Sequence, residues 1–203
     1  MLVSEADKKR ITASIAAAEQ NTSGEIFCVI ARRSDDYRLV PVAIAALLAL
    51  LVPLPLLFLT AMAAKTIYLT QLLVFIAVAL ILSLPAIRHR IVPRSKQHEQ
   101  AHIEALRQFV AQGLHKTENR TGVLIFASEA EQFAEIIADA GIHAKVDQKV
   151  WDEAVAALVE GIGNGQSAEG FIAAIERCGA VLAQHFPPGT LNRNELPNKL
   201  IEI

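Results

Sequence analysis

A pair of histidines one helical turn apart forms the most specific candidate motif for metal chemistry in the sequence. His98-Glu-Gln-Ala-His102 has the H-E-x-x-H spacing, which on a helix places both imidazoles on one face. Two such imidazoles can bind one Zn²⁺, and Glu99 can deprotonate the bound water. A third ligand is needed, and Glu118 and His115 are the nearest candidates. The motif indicates either a zinc-dependent protease or an interfacial helix with two solvent-facing histidines.

Acidic side chains near the ends of three predicted strands form a second candidate site. They are, in chain order, Asp35, Asp36, Glu129, Glu131, Asp139 and Asp147. Because ligands bind beyond the carboxyl ends of parallel strands, the carboxylates after the first and second strands are expected to meet there. Their oxygens suit Ca²⁺ or Mg²⁺ as a cofactor. Asp139 ends an antiparallel strand and is expected at the other end, near Asp147. The competing interpretation is ordinary solvated turns, with Asp147 as a helix cap.

The sequence lacks the patterns that phosphatases use for covalent or two-metal chemistry, since it contains no Cys-x5-Arg and no Asp-x-Asp. Cys28 and Cys178 lie in apolar runs, which predicts buried, unreactive thiols and neither a disulfide nor a metal pair. Gly161-Ile-Gly-Asn-Gly165 follows a predicted helix, so we interpret it as a loop that breaks the chain and not as a phosphate loop. A phosphatase-like activity would therefore depend on the strand-end carboxylates.

One long apolar block, 39–87, interrupts the chain that must position these residues. It divides into two segments, Leu39–Ala64 and Ile67–Ile87, with one charge between them. Each segment is as long as the roughly 20 apolar residues that cross a bilayer, and neither has the polar stripe of a soluble helix. We interpret the block as a transmembrane helical hairpin. Pro53 and Pro55 predict a kink within the first span, with a re-entrant segment as the alternative.

Basic residues on the flanks of the apolar block predict its orientation. Seven of them precede or follow the block, and the connection between the spans has only Lys65. The seven are Arg32, Arg33, Arg38, Arg88, Arg90, Arg94 and Lys96. This asymmetry predicts a multi-pass inner-membrane protein with both termini in the cytoplasm. The basic interfacial linker 88–94 is expected to contact anionic membrane lipid. The net charge of −2 does not indicate the excess of basic residues that nucleic-acid binding requires.

Apolar periodicity outlines the elements on either side of the block. The predicted elements are, in chain order, a helix from Ser4, a strand 25–31, a helix 95–113, strands 121–128 and 133–139, a helix from Asp147 with Trp151 on its apolar face, and a helix from Ser167. The apolar stripe of the helix 95–113 is predicted at Ile103, Leu106, Phe109 and Val110. The short turn before the third strand makes it antiparallel to the second.

Two strands that are apolar at nearly every position lead to the fold class. Such strands are central in a sheet, and the helix between them favours parallel neighbours with a right-handed crossover. We predict one α/β domain, a small mixed sheet flanked by helices, formed by residues 1–38 and 95–203 together. The transmembrane hairpin, 39–87, is inserted into its first crossover, because the 38 residues before it are too few to fold alone.

A scattered set of segments outside the hairpin carries a family resemblance. The segments are Gly24–Ile26, Ala105–Phe109, Gly113-Leu114, Asn119–Phe126, Ala138–Ile142, Trp151, His185–Pro188 and Asn194–Leu196. In these the chain resembles the TPM-domain family, more closely its bacterial membrane-protein branch, in which a hairpin interrupts the domain. The resemblance implies an α/β sandwich. It also implies the activities attached to members of the family, which are acid phosphatase activity, divalent-cation binding, and assembly or repair of membrane complexes.

The chain departs from the family pattern at one loop, and this shapes the functional hypothesis. A family strand usually continues into Glu-x-Gly-x-Gly, whereas Asp139-Ala-Gly-Ile-His143 lacks the second glycine. The leading hypothesis is a non-catalytic interaction or assembly module that binds a divalent cation and another membrane protein or complex. The alternative is a metal-dependent hydrolase, either phosphatase-like at the strand-end carboxylates or a zinc protease at His98 and His102.

Overall fold

The chain divides into two structural units, with boundaries after Ser34 and before His98. It is described by a computed structural model of residues 2–188 and 194–203, without the side chains of residues 85, 86, 89 and 148. One unit combines Met1–Ser34 with His98–Ile203, and the other is the intervening segment Asp35–Gln97. We call them the α/β unit and the hairpin unit.

The two units contain helices, strands and two short 3-10 turns. The helices are α1 (Glu5–Glu19), α2 (Leu39–Leu51), α3 (Pro53–Leu59), α4 (Ala64–Leu82), α5 (Pro85–Ile91), α6 (Arg94–Ala111), α7 (Ala140–His143), α8 (Asp152–Gly163) and α9 (Ser167–His185). The strands are β1 (Glu25–Ala31), β2 (Gly122–Ser128), β3 (Phe133–Ala138) and β4 (Leu200–Glu202). Short 3-10 turns lie at Leu114–Lys116 and Gln148–Trp151.

The α/β unit is built on a four-stranded mixed sheet in the order β3-β2-β1-β4. β1 and β2 are parallel and in register from Glu25 opposite Gly122 to Ala31 opposite Ser128, which confirms the predicted pairing. β3 is antiparallel to β2, also as predicted. β4, parallel to β1 at the other edge, was not predicted. The fold is therefore a mixed α/β structure whose two central strands are the two doubly apolar segments of the sequence.

Alternate residues of the central strands fill two separate cores, one on each face of the sheet. On one face Ile26, Cys28 and Ile30 of β1 pack with buried residues of α1, α8 and α9. On the other face Phe27 and Val29 pack with α6 and Leu114. Alternation of this kind follows from the two-residue period of a strand, and it explains why β1 and β2 are apolar throughout.

The predicted apolar stripe of α6 is wrong at three of its four positions. Phe109 is buried, but Ile103, Leu106 and Val110 are 41%, 43% and 60% exposed. The residues that α6 places against the sheet are instead Ala101, Ala105 and Phe109. Small side chains suit this position because the sheet face beneath the helix is already filled by bulky residues. The larger apolar side chains of α6 therefore point to the surface of the α/β unit.

Helix boundaries in the α/β unit follow local capping chemistry. Ser4 caps α1 by accepting the N–H of Asp7, and Asp147 caps the turn before α8 by accepting the N–H of Lys149. Both caps were predicted. The predicted break at Gly161-Ile-Gly-Asn-Gly165 is wrong in part, because α8 continues through Gly163 and Gly165 supplies the left-handed residue, with φ of 70°, that follows the helix.

The hairpin unit contains two helical segments long and apolar enough to cross a membrane, Leu39–Leu59 and Ala64–Leu82. Only 11% and 6% of these segments are buried, so their leucines and phenylalanines form the surface of the unit. The first segment combines α2 and α3, and its helix is interrupted at Val52, just before Pro53. Proline has no N–H to donate, which explains the break at this point. The helical segment nevertheless continues past both prolines, as predicted.

Candidate functional site

The H-E-x-x-H motif lies on α6 and is directed at the edge strand β3. Nδ1 of His102 lies 2.8 Å from Oε2 and 3.0 Å from Oε1 of Glu135. One turn earlier, the ring of His98 packs against the ring of Phe133, with centroids 5.2 Å apart. The predicted helical spacing is therefore present, and a carboxylate supports the second histidine. Such a carboxylate fixes the imidazole tautomer and leaves Nε2 for another partner.

The other residues proposed for a zinc site lie in separate settings. Glu99 is exposed on α6. The backbone N–H of Glu118 donates to a carboxylate oxygen of Glu195 at 3.0 Å. Nδ1 of His115 is buried and has no hydrogen-bond partner within the described residues. Across the described parts of the chain, no three His, Cys, Asp or Glu side chains converge as a metal site would require.

At the carboxyl ends of β1 and β2 the structure brings together two serines and a glutamate. Glu131, nearly inaccessible, accepts the hydroxyl of Ser128 and, at 3.2 Å, the backbone N–H of Ser34. The hydroxyl of Ser34 donates to Ser128 at 3.0 Å. Glu129, the predicted ligand beside them, is half-buried, and its N–H donates to the carbonyl of Ala31. The loops after two parallel strands are thus tied together by a buried carboxylate.

The four aspartates of the predicted cation site each make a local contact. In the hairpin unit, Asp35 accepts the N–H of Tyr37 at 3.2 Å, and Asp36 forms an ion pair with Arg38 at 2.7 Å. In the α/β unit, Asp139 caps α7 by accepting the N–H of Ala140 at 2.7 Å and pairs with Arg120 at 2.8 Å. Asp147 is the helix cap described above. The cation at these residues stays a prediction.

Two buried carboxylates at the opposite end of the sheet were missed by sequence reasoning. Glu19, at the end of α1, accepts the N–H of Ile26 at 2.9 Å, and burial raises its pKa to about 7. Burial also raises the pKa of Glu25, whose two oxygens accept the N–H groups of Glu195 and Leu196 at 3.1 Å. The only signal for them was a glutamate at the first position of a strand that is otherwise apolar. Glu25 fixes the segment that leads into β4.

The cysteines lie where the sequence predicted them, inside the core. Both are free and buried. Burial raises the pKa of the Cys178 thiol to about 12, and that of Cys28 well above its ordinary value. A thiol that stays protonated and inaccessible is a poor nucleophile, so neither side chain is placed to act as one.

Helix α6 presents an apolar face on the surface of the α/β unit. Ile103, Leu106 and Val110 stand at i, i+3 and i+7, and therefore share one side of the helix. Glu104 and Arg107 form an ion pair at 2.6 Å beside them. We call this surface the α6 face. Three large apolar side chains at helical spacing, with a charged rim, have the composition of a helix-binding surface.

Comparison with solved structures finds a protein of similar fold. No family model and no curated protein matches it. It is similar to the NMR structure of BA42 protein from the psychrophilic bacterium Bizionia argentinensis, with a TM-score of 0.63 and 20% sequence identity. The alignment covers 99% of this chain and 95% of that chain. At this identity the likeness shows the fold alone.

Proposed function

We propose that the chain is an inner-membrane interaction or assembly module, TPM-like in its α/β domain and without established catalysis. The hairpin spans the membrane, and the α/β unit lies on the cytoplasmic side. The α6 face binds another membrane protein. The exposed apolar side chains of α6 are the observation that carries this function, because Ile103, Leu106 and Val110 are all left uncovered at the surface of the α/β unit.

Membrane insertion is supported by the surface of the hairpin unit. Phe58 and Leu59 are 85% and 81% exposed, and both spans present apolar side chains on nearly all sides. Soluble proteins rarely expose so large an apolar surface. The excess of arginine and lysine on the flanks of the spans supports the cytoplasmic position of both termini.

The partner that suits the α6 face is a helix of another membrane protein. Large apolar residues at i, i+3 and i+7 form the ridge that packs into the groove of a second helix. The ion pair of Glu104 and Arg107 would remain at the rim of the interface. Charged side chains there favour one register of the two helices over non-specific apolar association.

A pulldown from solubilised membranes tests this proposal. The wild-type chain should capture a specific membrane protein, and Leu106→Asp should reduce capture at least tenfold because it places a charge at the centre of the α6 face. The matched control is Val159→Asp on α8, which packs on the opposite side of the sheet and whose side chain is also partly exposed. Equal capture by both variants, or loss in both, contradicts the proposal.

Divalent-cation binding is a separate part of the proposal. The carboxylates at Asp35, Asp36, Glu129, Asp139 and Asp147 have the oxygen ligands that Ca²⁺ and Mg²⁺ prefer. Calorimetry on the detergent-solubilised chain should detect weak Ca²⁺ binding that Asp35→Asn removes. An unchanged isotherm would show that Asp35 is not a ligand.

The alternative function is a zinc-dependent hydrolase at His98 and His102. The contact between His102 and Glu135 favours it, because metal-binding histidines are usually supported by a carboxylate. This alternative predicts one Zn²⁺ per chain in the purified protein and its loss in His98→Ala. The control is His143→Ala, an exposed histidine on α7. Absence of zinc after purification with added Zn²⁺ would contradict the zinc-dependent alternative.

A further inference from the structure

The predicted transmembrane hairpin carries one amide that its own helices leave unpaired. Gln71 lies in α4, about 10 Å along the helix from Ala64 at 1.5 Å per residue. Its neighbour Thr70 satisfies its hydroxyl by donating to the carbonyl of Thr66 at 2.9 Å. The half-buried side chain of Gln71 makes no hydrogen bond to any residue that the structure describes.

Gln71 lines a recess on the surface of the hairpin, between α2 and α4. The recess has a volume of about 290 Å³. Ala46 and Ala49 form its α2 side, and Tyr68 and Phe75 lie one turn before and after Gln71 on the α4 side. Lipid tails offer no hydrogen-bond donor or acceptor, so an amide at this position gains by meeting a polar group of another helix.

We propose that Gln71 joins two copies of this chain in the membrane, through amide–amide hydrogen bonds between their α4 helices. The inference rests on the membrane insertion proposed above. A glutamine amide contains both donors and an acceptor and is therefore complementary to itself. Two copies inserted with the same orientation have parallel α4 helices, with both Gln71 side chains at the same depth. A twofold axis along the membrane normal then brings identical residues together.

A second copy fits this recess better than an unrelated helix does. An unrelated helix would need its own polar side chain at the matching depth, whereas a copy supplies one by symmetry. The alanines beside Gln71 remove bulk from the recess, and small residues let transmembrane helices approach closely. The same recess can therefore accept the partner's side chains around the paired amides.

Cysteine cross-linking of the full chain in native membranes tests the pairing. Tyr68→Cys and Phe75→Cys, on the Gln71 side of α4, should form disulfide-linked dimers on mild oxidation. Leu73→Cys, exposed on the opposite side of the helix, should not. The native Cys28 and Cys178 are buried and do not compete. Equal cross-linking at all three positions would indicate random collision and overturn the proposal.

Substitution of Gln71 in the Tyr68→Cys background assigns the pairing to the amide. Gln71→Leu should lower the dimer yield about tenfold, the range expected for transmembrane hydrogen bonds. Thr70→Val, whose hydroxyl is satisfied within its own helix, should leave the yield unchanged. An undiminished dimer yield in Gln71→Leu overturns the proposal. The proposal is also overturned if the cross-linked product that Gln71→Leu removes contains a different membrane protein and not a second copy of this chain.

A carbonate wash of the same membranes separates the two possible failures. Gln71→Leu makes α4 more apolar, so it should not impair insertion. Protein that is released by the wash contradicts membrane insertion itself, and with it the proposed function. Protein that resists the wash but does not cross-link contradicts only the pairing through Gln71.

Discussion

The backbone N–H of Leu196 donates to Oε2 of Glu25 at 3.1 Å, across 171 positions of the chain. The other oxygen of the same carboxylate accepts the N–H of Glu195. These bonds hold the segment before β4 against the beginning of β1, so that β4 can pair with the free edge of that strand. A single buried side chain thus positions an element that has little stability of its own.

Glu25→Ala should detach this segment. Hydrogen bonds to charged groups contribute about 1.5–3 kcal/mol each to stability. The cost of desolvating the buried carboxylate offsets part of this contribution. We expect the free energy of unfolding to fall by about 2 kcal/mol. Urea titration of the full chain in detergent measures it, with the fluorescence of the buried Trp151 as the signal. Glu160→Ala, an exposed glutamate on α8, is the control. A loss of equal size in both variants would contradict the role of Glu25.

The raised pKa of Glu19 predicts a stability that falls as the pH rises. Its folded-state pKa is about 7 and its ordinary value is 4.5, so the folded state binds more protons between these values. The stability that protonation supplies is complete below pH 4.5 and is lost as the pH rises through about 7. Glu25 acts in the same direction because its pKa is also raised. We expect a loss on the order of 2 kcal/mol between pH 5 and pH 7.5.

Glu19→Gln should remove most of that dependence, since the amide oxygen can still accept the N–H of Ile26 but cannot titrate. Urea titrations at the two pH values measure it. Glu176→Gln, an exposed glutamate on α9, should keep the wild-type slope. A wild-type stability that increases with pH over this range would refute the assignment.

The contact between α8 and α9 predicts opposite results for two neighbouring glycines. A Cβ atom at Gly161 would lie 2.6 Å from Cα of Gly170, whereas one at Gly163 would meet nothing within 4 Å. Gly161→Ala should therefore destabilise the protein by about 1–3 kcal/mol, as overpacking does. Gly163→Ala should be neutral or stabilise it by up to about 1 kcal/mol. Thermal unfolding measures both, and a neutral Gly161→Ala would show that the helices can separate without cost.

The elements with strong local signals were predictable from the sequence. β1 and β2 are apolar on both faces because each face contacts a separate core. This apolar pattern can be recognised within each strand's own sequence. Ser4 and Asp147 were predictable as caps for the same reason, since a cap depends on its nearest neighbours in sequence. The apolar character of the two spans is likewise a property of composition alone.

The features that depend on distant contacts were not predictable. β4 has three residues and exists because β1 offers an edge and Glu25 fixes the approach to it. The burial of Glu19 and Glu25 likewise depends on residues near the end of the chain. On α6, counting apolar residues favoured Ile103 and Leu106, but the sheet surface beneath the helix has room for Ala101 and Ala105. Which side chains of a helix face the sheet is determined by the steric fit between the two layers, and this fit cannot be read from the sequence of the helix alone.

The account as a whole depends on a hairpin that crosses the membrane and returns the chain to the same side. Single cysteines at Lys9 in α1, at Lys149 before α8 and at Met62 between the spans are all exposed and can be labelled with a membrane-impermeant maleimide. In inside-out vesicles, positions 9 and 149 should react and position 62 should not. In spheroplasts, position 62 should react and positions 9 and 149 should not. Labelling of positions 9 and 149 from opposite sides of the membrane would contradict the account.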